Sequence, residues 1–455
     1  MLRRAVIVAV VSARIAFAQA VPASIADLTV RSSITSVDPV EVLARARVKL
    51  AAIARNLPKY TCLETIERTY YAARAEKTSA RLLTEPISCE NKEIGKNGPL
   101  SLVAEDRLRL EVAVGESGEI HSWVGASSFD SRSLFEMVSS GPISSGNFGT
   151  YLLDIFENPG ARLKFTGQKS EGSREIIEYS FVVPVEASHY MIRLGSGWKP
   201  TGYRGSFQID GATADLVRLT QQTDQLAPEA NMCRAQTGVD YHTVPIGSGQ
   251  LLIPRRTELR TLSPDASEAD SVTTYSACHE YSVESSLRFD DTDDVAVSAK
   301  APATSAASLP PGVILTLALL NPIEAGAAAA GDAVTAKVSK AVRSKDAKEV
   351  LVPAGAIAHG RILQMRRQHT PSQFLIAIAF ETLEVNGAVS PISVQLEREL
   401  KAEKRTEKEI NSRLPGFSFP PPSPGEKGSL FTIPAKSGGY VMAAGFESNW
   451  ITLAK

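Results

Sequence analysis

The chain has 455 residues, of which 43% are hydrophobic and 22% charged, a globular composition with room for two or three domains that excludes a disordered or fibrous protein. Its 49 Lys and Arg against 50 Asp and Glu leave a formal charge of -1, so no bulk field draws it to nucleic acid or to an anionic membrane. Six His and four Cys are too few for a rich metal or redox site, and no cofactor is expected.

The chain opens on basic Met1-Leu2-Arg3-Arg4, an apolar stretch from Ala5 to Ala13, and small residues at Ala16-Phe17-Ala18 or Ala18-Gln19-Ala20. That is the layout of a secretory signal peptide over residues 1–20. The apolar stretch is far short of the roughly 20 residues that cross a bilayer, and no later run reaches that length. The expectation is a mature chain without a transmembrane span, periplasmic or secreted. Export places Cys62, Cys89, Cys233 and Cys278 in an oxidising compartment, where an even count means disulfides. Three pairings are open, and the favoured one joins sequence neighbours, Cys62 with Cys89 and Cys233 with Cys278. A zinc site is the competing reading, but no C-x-x-C pair or close His supplies tetrahedral ligand spacing.

Residues 21–290 begin with a helix. Asp38 caps it, Pro39 takes the first helical position, Glu41 stands where a capping-box carboxylate would, and Leu43, Ala46, Leu50, Ile53 and Leu57 recur at spacings of three and four. The remainder of this region is mostly strand. Leu108, Leu110, Val112 and Val114 alternate with Arg107, Arg109 and Glu111, which predicts a sheet with one wet face and one dry face. Ile177, Tyr179, Phe181 and Val183 alternate in the same way. Asp210-Gly211 reads as a tight hairpin turn with positive φ, and Gly247-Ser248-Gly249 as another. A short helix is expected over Asn147 to Phe156, ended by Asn158-Pro159-Gly160. A long antiparallel sheet with few helices must curl around them or leave a groove. Leu108, Leu110, Val112, Tyr179, Phe181, Phe207 and Ile209 are the candidate ligand-binding wall, with plain core as their alternative role.

This pattern resembles exported bacterial proteins related to the outer-membrane lipoprotein carriers LolA and LolB, over roughly residues 38 to 290. The resemblance rests on the leading helix, the run Asn56-Leu57-Pro58-Lys59-Tyr60-Thr61-Cys62-Leu63-Glu64-Thr65-Ile66-Glu67-Arg68, and the strand order after it. The same run resembles exported proteins of acidobacteria. The resemblance implies a half-barrel around a cavity that holds a lipid or a lipoprotein acyl chain. Two bridges depart from the simplest carrier pattern.

Residues 291–311, from Asp291-Thr292-Asp293-Asp294 through Ala301-Pro302-Ala303 to Pro310-Pro311, have no hydrophobic period and read as a linker. Residues 312–455 predict a compact β-barrel of short strands. Gly331-Asp332-Ala333-Val334-Thr335-Ala336-Lys337-Val338 alternates, Val352-Pro353-Ala354-Gly355 turns the chain, Phe374, Ile376, Ile378 and Phe380 stripe one face, and Asn386-Gly387 closes a hairpin. A charged and proline-rich insertion occupies 397–427. These features resemble, over 312–396, the C-terminal β-barrel of TrbI-type conjugal transfer proteins of type IV secretion systems. No anchor or long amphipathic antenna accompanies them, so an envelope interaction module docking a protein partner is what the resemblance implies. The fold class expected for the whole is mainly β: an antiparallel curled sheet with a few helices, plus a second small β-barrel.

No G-x-S-x-G, H-E-x-x-H, phosphate-cradling loop or dinucleotide fingerprint occurs. Ser196 and Ser248 stand between glycines at hairpin turns. His121, His189, His242 and His279 are scattered over strands, and His279-Glu280 beside Cys278 point to opposite faces of one strand. With 6% aromatic residues a stacking platform for single-stranded nucleic acid is not expected. The leading expectation is a non-enzymatic envelope protein that holds an apolar ligand or acyl chain. A scaffold without ligand is the alternative, and an exported hydrolase assembled from dispersed His, Ser and Asp ranks last.

Overall fold

The computed structural model describes residues 38–55, 59–74, 88–115, 118–126, 129–138, 140–145, 148–194, 197–247, 249–281, 309–344, 349–397, 428–435 and 439–454. The signal-peptide stretch 1–20, the linker up to residue 308, the insertion from residue 398, and Ser196 and Ser248 lie outside them. Helix α1 (Pro39–Arg55) starts where its sequence requires. Asp38 accepts the Val40 amide on its side chain at 2.9 Å and the Val42 amide on its carbonyl at 3.0 Å, which satisfies donors that the first turn leaves open. Its fully buried stripe is Val42, Ala46 and Leu50, with Leu43 only half-buried.

Strands β1 (Tyr60–Ala73), β2 (Leu100–Gly115) and β3 (Gly118–Trp123) are antiparallel neighbours. Two short helices come next, α2 (Leu134–Met137) and α3 (Thr150–Phe156). Strands β4 (Arg162–Glu171) and β5 (Arg174–Val183) then form a hairpin, and β6 (Met191–Leu194) with β7 (Gly197–Pro200) form a separate one. The sheet resumes in β8 (Tyr203–Asp210), β9 (Leu216–Thr223), β10 (Arg234–Ile246), β11 (Gly249–Leu262) and β12 (Glu268–Glu280). Because β12 pairs with β1, the spatial order is β4-β5-β8-β9-β10-β11-β12-β1-β2-β3, antiparallel throughout. On the apolar inner face, Leu134 and Met137 of α2 pack against Leu108 and Leu110, Phe148 against Tyr60 and Val112, and Phe156 of α3 against Phe207.

The expected turn at Asp210-Gly211 is built differently. Ala214, not Gly211, takes the left-handed conformation, at φ 58°. The Asp210 carboxylate accepts the Ala212 and Thr213 amides at 2.9 and 3.1 Å, and Ala214 donates to the Asp210 carbonyl at 2.8 Å. The aspartate side chain therefore organises a wider turn. Asn386 and Gly387, at φ 50° and 81°, make the expected tight hairpin.

The expected disulfide pairing is overturned. Cys62 bonds Cys278 and Cys89 bonds Cys233. The cause is topological, since β12 returns beside β1. A register shift between Thr61 and Leu63 sets an extra residue in β12, and Ala277 at φ 49° absorbs it, so Cys278 meets Cys62 across the bulge.

The C-terminal portion contains β13 (Ile314–Leu319), β14 (Ile323–Glu324), β15 (Ala333–Val338), β16 (Val342–Arg343), β17 (Val350–Val352), β18 (Ile357–His369), β19 (Ser372–Val385), β20 (Ala388–Pro391), β21 (Val394–Leu396), β22 (Ser429–Pro434), β23 (Val441–Met442) and β24 (Glu447–Thr452). Its ladder runs β22-β19-β18-β15-β13-β24-β21 around one core, with Trp450 edge-on to Phe380 at 4.9 Å. Among the described residues β22 pairs with β19 and β21 with β24, and between β21 and β22 the Leu396 amide donates to Ser429 Oγ at 2.7 Å without a backbone ladder, so the expected small barrel curls without closing. The two portions share backbone: Ala104–Asp106 of β2 pair with Arg366–Gln368 of β18, and Arg109 donates to the Ala330 carbonyl at 2.7 Å. Gly331 is required there, at φ 103°, because a Cβ would stand 2.1 Å from the Arg109 carbonyl oxygen. Among the described residues no helix is long and apolar enough to cross a membrane.

Candidate functional site

Strand register decides where the inner face leaves space. Ala235 of β10 stands opposite Thr261 of β11, Thr261 opposite Ala269 of β12, and Ala269 opposite Tyr70 of β1. Three adjacent strands thus present small side chains in one transverse row. The segments facing them, Val138 and residues 140–145, the His189–Arg193 stretch with Trp198, and residues 230–232, stand off from the sheet. A cavity of about 660 Å³ lies between. Leu259, Val138, Ile143 and Ile192 line it with apolar surface, while Asp154, His189 and Arg193 also border it.

The polar border is organised by Asp154, which is buried on α3. Its Oδ1 lies 2.6 Å from His189 Nδ1 and accepts Asn158 Nδ2 at 3.1 Å. Its Oδ2 accepts the Tyr203 hydroxyl at 2.6 Å and the His189 amide at 3.2 Å. The contact with His189 fits an Nδ1–H donated to the carboxylate, on an imidazole whose side chain is 79% exposed. Burial and then the Asp154 carboxylate push the Tyr203 hydroxyl far above its ordinary pKa. These contacts pin α3 to the entry of the β6–β7 hairpin. Ser140, Ser144 and Ser145 line the same cavity, but among the described residues no hydrogen bond joins any of them to His189.

The other histidines stand apart. His279 is held by Thr61 Oγ1 at 3.1 Å and the Ala277 carbonyl at 2.9 Å. Burial and then Arg255 lower the pKa of His242. His121 on β3 is buried, with Nε2 3.4 Å from Glu64 Oε2 on β1. Burial opposes its charge, but Glu64 and then Glu119 outweigh it and raise the imidazole above its usual value. His121 is therefore expected to titrate above the free-histidine pKa of about 6.5. Since the folded state holds that proton more tightly, the stabilisation is complete below the free value and is lost as pH rises through the folded one. NMR titration of the imidazole and unfolding curves across this window check it. A midpoint at or below the free value, or a His121→Gln variant with an unchanged pH profile, would refute it.

The seven residues expected as a ligand wall all lie on the buried face, none above 6% exposed. Tyr179 and Phe207 stack at 5.0 Å, Phe181 is tilted against Phe207 at 6.1 Å, and Phe156 of α3 packs edge-on to Phe207 at 4.7 Å. Ile209 lies on the same strand as Phe207. Leu108 and Leu110 pack with Ile66, Trp123, Leu134 and Ala330, whereas Val112 packs with Tyr60, Phe148 and Tyr275. None of the seven lines the 660 Å³ cavity. The residues that do, Ala235, Thr261 and Ala269, carry one sequence signal: small side chains at inward positions of alternating strands. A second cavity of about 590 Å³ opens between the loop after β3 and strands β18 and β19. Its charged groups already satisfy one another, Arg132 with Asp130 at 2.7 Å and Arg361 with Glu381 at 2.9 Å.

No family model matches the sequence, and no curated protein matches it. Among solved structures, a domain provisionally named for outer-membrane lipoprotein sorting from Vibrio parahaemolyticus is similar at 8% identity, over 53% of this chain and 92% of that one, with a TM-score of 0.25. A DUF1329 family protein from Desulfovibrio piger is similar at 7% identity, over 53% and 93%, also with a TM-score of 0.25. Superpositions this loose equate no residue here with one there. None of the comparisons supports the likeness of residues 312–396 to TrbI-type channel proteins.

Proposed function

We propose that this is an exported envelope protein, not an enzyme, that holds an apolar ligand or acyl chain in the cavity over Ala235, Thr261 and Ala269. In this reading residues 21–290 are the binding portion, residues 312–455 dock an envelope partner, and residues 291–311 link the two. The observation that carries it is the 660 Å³ cavity floored by small side chains, within the roughly 300–1,000 Å³ of small-molecule sites. Met191 and Trp198, 44% and 43% exposed, add apolar surface on the hairpin that borders it. The two disulfides fit an oxidising compartment.

Ala269→Leu adds a branched side chain to the cavity floor, at a position packed beside Tyr70, Val103 and Ala104. The expected result is an affinity for the apolar fluorophore N-phenylnaphthylamine at least about tenfold weaker, roughly 1.4 kcal/mol, with folding intact. Mass spectrometry of lipids extracted from the natively purified protein should find bound apolar molecules. Empty extracts together with an unchanged affinity in Ala269→Leu would overturn the reading.

A further inference from the structure

A second transverse row, one step along the strands from the cavity floor, is polar at five of its six positions, where a sheet core is normally oily. Thr237, Leu259, Ser271, Arg68, Asp106 and Arg366 face one another in succession across β10, β11, β12, β1, β2 and β18. All are buried. Asp106 accepts Arg68 Nε at 2.7 Å and Nη2 at 2.9 Å, a forked pair, and Arg366 Nη2 lies 3.4 Å away. Burial opposes the charge on Arg68, yet Asp106 holds its guanidinium above its ordinary pKa.

The third arm of that guanidinium leaves the sheet. Arg68 Nη1 donates to the Ser140 carbonyl at 2.5 Å, and Ser140 and Gly141 belong to the cavity wall. Gly141, at φ 84°, lies so close that a Cβ would stand 2.2 Å from the Tyr70 hydroxyl and 2.6 Å from Arg68 Nη1. The wall segment thus rests on the charged row without a spacer. A charge-assisted bond to a backbone carbonyl in a dry environment is among the stronger single contacts a loop can have.

We infer that Arg68 is a positioning residue that straps the cavity wall at Ser140–Gly141 to the sheet, and that ligand is retained because this strap keeps the wall closed. The strap's anchor, Asp106, is shared with Arg366 of β18, so the C-terminal portion sits directly on it. The retention claim rests on the cavity reading above, whereas the strap itself does not.

Hydrogen exchange of the full chain, without ligand, tests the strap. Gly141→Ala keeps both members of the Arg68–Asp106 pair but sets a Cβ against the Tyr70 hydroxyl and Arg68 Nη1, which should push the wall off them, and Arg68→Lys keeps a charge by Asp106 but loses the fork and its third arm. In both, amides in residues 140–145 should exchange about tenfold faster. In Gly141→Ala the global urea midpoint should stay near wild type, which separates a local strap from general destabilisation. N-phenylnaphthylamine should dissociate several-fold faster from Gly141→Ala than from wild type. Unchanged exchange in Gly141→Ala overturns the strap. Faster exchange in a protein that never binds the fluorophore sustains the strap and sinks the cavity reading alone. Faster exchange with an unchanged dissociation rate overturns the retention claim.

Discussion

Asp106→Ala should destabilise the protein by roughly 3 to 5 kcal/mol, as expected when one partner of a buried ion pair is removed. Arg68 and Arg366 would then face each other in a dry row with no anion between them. Their side chains are 3% and 6% exposed, so bulk solvent does not hydrate them in the folded chain. Tyr70, whose hydroxyl donates to Asp106 at 3.3 Å, would lose a partner as well. The contrast lies one residue away, on the outer face. Arg107 pairs with Glu67 at 2.7 Å, but Glu67 is 56% exposed, and Glu67→Ala should cost no more than about 1 kcal/mol. Urea unfolding of both variants compares the two pairs directly. Equal losses would show that the inner row is wet and would remove the basis for its rigidity.

Removing the disulfides should be the other large effect. Cys62–Cys278 and Cys89–Cys233 span 216 and 144 residues, the second nested in the first. Constraining loops of this length stabilises a fold by roughly 2 to 5 kcal/mol for one bridge, with a smaller increment for a nested second one. The outer bridge holds the first strand of the curled sheet to the strand that returns beside it, β1 to β12, so its loss frees the closure on which the inner rows depend. Cys62→Ala with Cys278→Ala should therefore lower the thermal midpoint more than Cys89→Ala with Cys233→Ala. Reductant should abolish the difference between the wild type and the four-fold variant. A wild-type midpoint indifferent to reductant would show that the bridges do not contribute to stability.

Much of the fold is legible in the sequence because it depends on neighbours in the chain. The cap at Asp38 and the turn at Asn386-Gly387 are local chemistry, and both stand as expected. The alternation of Leu108, Leu110 and Val112 with charged residues reflects the two-residue period of a strand and puts these residues on the buried face. Local reading fails where a side chain reaches along the backbone. Asp210 draws two amides into a wider turn than its glycine neighbour suggests. It fails again at the cysteines, where proximity in sequence favoured the wrong partners.

The sequence by itself determines the period, the punctuation and the sidedness of each element here, since a strand's alternation and a helix's cap are settled within a few residues. Only the tertiary structure decides that Ala235, Thr261 and Ala269 lie side by side, that Arg68 stands between Ser271 and Asp106, and that Cys62 meets Cys278. The physical reason is register. Adjacency across strands is set by which ladders pair and by how many residues each bulge inserts, and both are decided by packing over the whole sheet.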